Sequence, residues 1–153
     1  MKTIDSLNIV LKAFEEHKIE YQIGGSFMLY LRGIKDTFKD IDIMIKEKDY
    51  ILVDALLSEL SEKLQVEKDP MFITRGFSRF AFHDFTYDIM AGFGVYTNEK
   101  SYYFPFELLQ PSEDISFGGL TLKVASLKDW ILFYELMERH DQLRAIKDFK
   151  NTL

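Results

Sequence analysis

Apolar residues at Ile4, Leu7, Val10, Leu11 and Phe14 recur three and four positions apart, which places them on one side of a helix running from Ile4 to His17. The period then changes. Ile19-Glu20-Tyr21-Gln22-Ile23 alternates as a strand does, until Gly24-Gly25 interrupts it. Ser26 is a helix-capping residue type, and Phe27, Leu29, Tyr30 and Leu31 predict a second helix that stops near Gly33. Asp40-Ile41-Asp42-Ile43-Met44-Ile45 alternates again, so Asp40, Asp42 and Met44 share one strand face and the isoleucines the other.

Further on, Ile51, Val53, Leu56, Leu57, Leu60 and Leu64 keep helical spacing and predict one covering helix from Tyr50 to Leu64, with Glu59 and Glu62 on its polar face. Phe72-Ile73-Thr74, Ser78 to Phe82 and Phe85 to Met90 read as short strands of an antiparallel meander, parted by Arg75-Gly76 and His83-Asp84. Asp88 falls in the last of them. Gly92 to Pro111 holds glycines, Asn98 and Pro105 among many aromatics and is expected to be irregular, with a short helix near Phe106 to Leu109 and a possible role in lining a pocket. Gly118-Gly119 between Glu113 to Phe117 and Leu120 to Val124 is a hairpin signal. Ser126, with Asp129 three residues later, starts a closing pair of helices at Leu127 to Arg139 and Gln142 to Phe149.

Composition narrows what this arrangement can do. At 153 residues with no repeat or low-complexity linker, residues 1–153 are expected to form one domain. A formal net charge of -6 argues against bulk nucleic acid as a partner, because sequence-independent binding rests on a surplus of Lys and Arg at phosphates. There is no cysteine, so any metal must be held by oxygen or imidazole. No signal peptide or membrane span is legible, and a cytoplasmic location is expected.

The candidate chemistry sits in the first half of the chain. A glycine turn before a helix lets backbone N–H groups approach an anion, and Ser26 adds a hydroxyl, although on its own such a turn is more often only a turn. Asp40 and Asp42 on one strand face offer two oxygen ligands for a hard cation such as Mg²⁺, against the plainer reading of charges that protect a strand edge. Asp88 can join them if its strand lies beside theirs, as two-metal phosphoryl chemistry needs; otherwise it is a solvent-facing strand residue.

The order strand, Gly24-Gly25-Ser26, helix, Asp40-Ile41-Asp42, then a lone Asp88 on a later strand resembles the nucleotidyltransferase superfamily that includes DNA polymerase beta. Within it the chain is similar to small bacterial and archaeal domains akin to antibiotic nucleotidyltransferases and to the nucleotidyltransferase-like toxins of toxin–antitoxin pairs. Tyr21 to Asp42 carries the most specific likeness, and Val124 to Ile131 with Arg139 and Leu143 looks like the family's closing helical pair. The resemblance implies an α+β, polymerase-beta-like fold with a mixed central sheet flanked by helices. It also implies a Mg²⁺-dependent (or Mn²⁺-dependent) enzyme that moves a nucleoside monophosphate from an NTP, ATP among them, to a hydroxyl of a small molecule, protein or RNA. Gly24, Gly25, Ser26 and Lys39 would hold the nucleotide. Asp40, Asp42 and Asp88 would hold metal and catalyse. Tyr134 stands where relatives often carry a lysine, and Phe38 where a threonine is common, so the alternative is an inactive module of this fold that binds nucleotide or protein. Arg32, Lys35, Lys39 and Arg139 are the candidates to replace the missing charge.

The remaining residues carry less. His17, His83 and His140 share no metal-ligand spacing and read as surface histidines. The aromatics Phe93, Tyr96, Tyr102, Tyr103, Phe104 and Phe106 could stack on a base, but core or interface is the commoner use. Trp130, Ile131, Phe133 and Tyr134 make an apolar helix face, expected in the core, or docked on a second copy as a homodimer or on another protein partner.

Overall fold

The computed structural model describes residues 3–152. Helix α1 (Asp5–Glu16) buries Leu7, Val10 and Phe14, as the three-and-four spacing requires. The chain then enters β1 (Tyr21–Gly24), α2 (Gly25–Leu31) and, past the positive-φ Gly33, β2 (Ile41–Ile45). Asp40 immediately precedes β2, and the alternation within the strand is the expected one.

Two stretches differ from their sequence patterns. The helix expected over Tyr50 to Leu64 is α3 (Tyr50–Leu60), which stops at Ser61, where the backbone is extended and the hydroxyl donates to the Leu57 carbonyl at 2.7 Å. Leu60 is 46% exposed, so the apolar period had already run off the buried face. Glu62 and Leu64 belong instead to a strand, β3 (Glu62–Leu64). The second difference lies beyond β4 (Gly76–Ala81) and β5 (Thr86–Ala91), where Gly92 to Pro111 is mostly an ordered hairpin, β6 (Phe93–Thr97) and β7 (Lys100–Phe104). Asn98 and Glu99 turn it with φ of 52° and 62°, the paired left-handed residues of a tight hairpin turn. Aromatics on both faces of this ribbon hid its alternation. Phe72-Ile73-Thr74 contributes only a single bridge, Phe72 to Val95, and the expected helix near Phe106 is one turn over Phe106–Leu108.

β8 (Glu113–Phe117) and β9 (Leu120–Val124) form the hairpin expected around Gly118-Gly119. The tail is the expected pair, α4 (Leu127–Leu136) and α5 (His140–Asn151). Ser126 caps α4 by accepting the Asp129 N–H at 3.1 Å, while the Asp129 carboxylate accepts the Gln110 N–H at 2.8 Å and ties the loop after β7 to the helix.

The strands assemble as one seven-stranded sheet in the order β3-β4-β5-β2-β1-β9-β8, with β6–β7 a separate ribbon. β2 is parallel to β5 and β1 to β9, and the other neighbours are antiparallel, giving the mixed sheet of the α+β class. Period two then sorts the faces. Ile41, Ile43, Tyr87, Ile89 and Phe80 are fully buried on one face, where α1 and α3 lie: Ser6 hydrogen-bonds Tyr87 at 2.7 Å, and Asp54 of α3 accepts the Ser78 hydroxyl at 2.6 Å. α4 and the β6–β7 ribbon cover part of the other face through Trp130, Phe133, Phe93 and Phe104.

α4 approaches β1 so closely that a Cβ at Gly24 would stand 2.1 Å from the Trp130 ring. Gly24→Ala is therefore expected to lower the unfolding free energy by about 1–3 kcal/mol, the usual cost of overpacking. Urea denaturation measures it, and an unchanged midpoint would mean that α4 yields without penalty.

Candidate active site

The strand register aligns four residues across the partly covered face. Arg79 on β4 is opposite Asp88 on β5, Asp88 is opposite Asp42 on β2, and Asp42 is opposite Gly24 on β1. Asp40 lies one step before β2, so the three carboxylates expected from the sequence gather at one end of the central strands. Gly25 is required beside them for two reasons. Its φ is 64°, and a Cβ there would stand 2.0 Å from a carboxylate oxygen of Asp42. Ser26 is not the helix cap expected of it: Gly24 occupies that position, and Ser26 sits inside the first turn. Its hydroxyl reaches the Asp40 carbonyl at 3.5 Å and the Lys39 N–H at 3.4 Å, tethering the segment that leads into β2. Since α2 has only seven residues, the capacity of this turn for an anion rests on the unpaired N–H groups of its first turn more than on a helix dipole.

Asp88 does not stand free. Arg79 donates to both of its carboxylate oxygens, Nε to Oδ1 at 2.6 Å and Nη2 to Oδ2 at 3.0 Å, a bidentate pair with the Asp88 side chain 12% exposed. Arg79 was not among the sequence candidates. A signal for it existed, because a hairpin turning at His83-Asp84 makes positions 79 and 88 partners.

This row floors a cavity of about 1350 Å³. Its lining is made by Gly25, Ser26, Lys39, Asp40 and Asp42, by Trp130, Tyr134, Arg139 and Gln142 of the tail pair and its connection, and by residues between Gln65 and Thr74 together with Phe77 and Met90. Three residues that line the cavity each carry a buried polar atom with no hydrogen-bond partner among the described residues: the Trp130 indole nitrogen, the Tyr134 hydroxyl and Oε1 of Gln142. Unpaired buried groups of this kind are costly, and a polar ligand or water that reached them would offset that cost. Of the four cations considered, Lys39 and Arg139 line the cavity. Arg32 instead donates to the Ala125 carbonyl at 2.6 Å, and Lys35 borders a separate recess with Tyr30 and Phe117. Phe93 is the one expected aromatic that reaches the cavity, while Tyr96 and Tyr103 are exposed on the ribbon.

Residues 3–152 match the model of a protein family described as nucleotidyl transferase of unknown function, DUF2204. The chain belongs to this nucleotidyl transferase family. Among curated proteins there is no match. Solved structures with the same fold include a protein assigned as a nucleotidyltransferase, TM1012 from Thermotoga maritima, which is 18% identical with a TM-score of 0.70 over 100% of this chain and 97% of its own. The lincosamide antibiotic adenylyltransferase LnuA, with lincomycin bound, is 17% identical with a TM-score of 0.63 over 95% of this chain and 96% of its own. ANT(2")-Ia in complex with adenylyl-2"-tobramycin is 16% identical with a TM-score of 0.57 over 92% of this chain and 85% of its own. At these identities the likeness establishes the polymerase-beta-like nucleotidyltransferase fold.

In this DUF2204 chain the carboxylates are electrostatically unbalanced. Burial pushes the Asp42 carboxyl well above the usual range, the charges of Asp88 and Asp40 push it further, and Arg79 and Arg139 oppose them weakly. The residue keeps part of its surface open to the cavity, so the shift reflects crowding by protein and like charge. Asp40 is raised by partial burial and then by Asp88. Among the described residues neither the Asp40 nor the Asp42 carboxylate takes a hydrogen bond or ion pair, and no three His, Asp or Glu side chains form a ready metal-ligand set. The two free carboxylates nonetheless suit a hard divalent cation, since oxygen donors and unbalanced negative charge are what such an ion requires. Asp88 suits it only once Arg79 has let go.

Because the folded-state value of Asp42 is raised, its favourable contribution to stability is complete below the ordinary aspartate value, about 4, and is lost as pH rises through the raised one. In the absence of divalent ions, Asp42→Asn is expected to raise Tm at neutral pH by roughly 2–8 °C and to flatten its decline between pH 4 and pH 8. Calorimetry across that range checks this, and a lower Tm for the variant would refute it.

Proposed function

We propose that residues 1–153 act as one domain that transfers a nucleoside monophosphate from an NTP to a hydroxyl of a small molecule. The observation that carries this reading is the in-register alignment of Gly24, Asp42 and Asp88, with Asp40 and the glycine turn at its edge, beside a cavity lined by residues that carry unpaired polar atoms. Membership of the nucleotidyl transferase family supports nucleotide transfer in general. A small-molecule acceptor is supported by the partly enclosed cavity, by the negative net charge, and by fold neighbours that hold lincomycin or an adenylylated tobramycin.

In this reading the triphosphate lies against the turn N–H groups of Gly25 and Ser26, with Lys39 and Arg139 supplying positive charge. The Tyr134 hydroxyl, held fully protonated by burial and by the nearby Asp42 charge, donates a hydrogen bond to the nucleotide. Asp40 and Asp42 would hold Mg²⁺, with Asp88 as a further oxygen donor if its pairing with Arg79 were given up. Bound there, the metal neutralises phosphate charge and favours in-line displacement. The acceptor hydroxyl shares the same cavity, where Phe77 and Met90 are among the apolar lining residues. Its oxygen bonds to the α-phosphorus, the bond from that phosphorus to the bridging oxygen breaks, pyrophosphate leaves, and the hydroxyl proton passes to Asp88. The chain's own contribution is orientation and charge placement.

A second reading, a module that binds nucleotide without transferring it, is favoured by the pairing of Asp88 with Arg79. Incubation with radiolabelled NTPs, Mg²⁺ and mixed small-molecule acceptors separates the two. Label transfer that falls at least about 100-fold in Asp40→Ala/Asp42→Ala supports catalysis. Equal labelling in both overturns it, and Mg²⁺-dependent thermal stabilisation by NTP with no transfer selects the binder. Tyr134→Phe is expected to weaken ATP binding about 10–100-fold, the value of one hydrogen bond to a charged group, with Tm unchanged or raised. Isothermal titration calorimetry measures it.

A further inference from the structure

The three carboxylates share one bonded counter-ion. Arg79 closes on Asp88 through two hydrogen bonds of 2.6 and 3.0 Å, whereas Asp40 and Asp42 take none. The pairing is built into the sheet, because β4 and β5 place positions 79 and 88 directly opposite on the cavity face. A bidentate guanidinium occupies both oxygens that a metal or a proton would need. Arg79 also has somewhere to go. It lines the cavity, it is only half-buried, and its guanidinium carbon already lies 5.8 Å from the centroid of the Phe77 ring, an apolar face on which a released guanidinium can rest.

We propose that Arg79 is the internal counter-ion of Asp88, kept until a divalent cation displaces it, and that this ion pair sets the metal affinity of the cavity. The inference rests on the nucleotidyl-transfer reading for its purpose but not for its test. Without metal, Arg79 holds the third carboxylate in place and limits repulsion with Asp42. With metal, Asp88 would serve as an oxygen donor to the cation, and the released guanidinium would rest against the Phe77 ring within the cavity. Arg79 is thus a positioning residue whose removal trades order for metal affinity.

The test is direct binding of Mn²⁺, followed by electron paramagnetic resonance, on the full chain without nucleotide. Arg79→Gln is expected to lower the Mn²⁺ Kd at least about fivefold, because one positive charge leaves the immediate surroundings of the ion. Arg79→Lys, which keeps the charge but cannot hold both oxygens, is expected to give a smaller decrease and covers the case in which Arg79→Gln fails to fold. Lys123→Gln makes the same change in net charge at the distant Lys123–Asp114 pair and is expected to leave the Kd unchanged. Equal Mn²⁺ affinity in the wild type and in every folded Arg79 variant overturns the proposal. If the wild type still transfers labelled nucleotide in that case, the nucleotidyl-transfer reading stands without it. If the wild type binds no Mn²⁺ and Arg79→Gln does, the proposal is supported even where transfer is absent.

Discussion

Three carboxylates held close together in a partly enclosed cavity are the constraint on which the rest of this structure depends. Like charges at this spacing favour separation, and burial raises the cost of keeping any of them ionised. The fold opposes that tendency with backbone geometry. Asp42 and Asp88 are fixed by neighbouring parallel strands whose other face is a fully buried layer of Ile41, Ile43, Tyr87 and Ile89 beneath α1 and α3. The hydrophobic layer therefore stabilises an electrostatic arrangement that would not assemble by itself. One guanidinium, Arg79, offsets part of the charge, and the remaining imbalance faces the cavity.

The same economy governs the glycine turn. Gly24 and Gly25 are the points at which β1 comes nearest to α4 and to Asp42, with no room for a side chain at either. Close approach brings Trp130 and Tyr134 over the row while leaving their polar atoms unpaired. Uncompensated charge and unpaired donors are thus concentrated on one side of the sheet. Membership of the nucleotidyl transferase family fits nucleotide transfer in general, and the closing helical pair expected from the sequence is α4–α5.

Much of this was legible in the residues. The helix periods of α1 and α4, the alternation through Asp40 to Ile45 and the turns at Gly24-Gly25 and Gly118-Gly119 all correspond to observed elements, since each is a local pattern with a local cause. The failures are equally physical. The helix after Tyr50 was drawn too long because Leu60 and Leu64 keep an apolar period off the buried face. The β6–β7 ribbon was missed because its aromatics occupy both sides. Ser26 looked like a cap, yet its hydroxyl serves the backbone of residues 39 and 40. Arg79 passed unnoticed because its meaning depends on its partner, and the partner is nine residues away across a turn.

By itself the sequence determined which residues could share a face and which could turn the chain, because two-residue and 3.6-residue periods and glycine's freedom at positive φ are properties of the local backbone. It also supplied the order of elements that marks the nucleotidyltransferase fold. Only the tertiary structure decided that β5 lies beside β2 in the register that opposes Asp88 to Asp42, that Arg79 claims Asp88, and that Lys39 and Arg139 rather than Arg32 and Lys35 face the cavity. Strand order, register and the approach of α4 are set by packing across the whole core, and no short-range pattern encodes a distance between residues brought together by that packing.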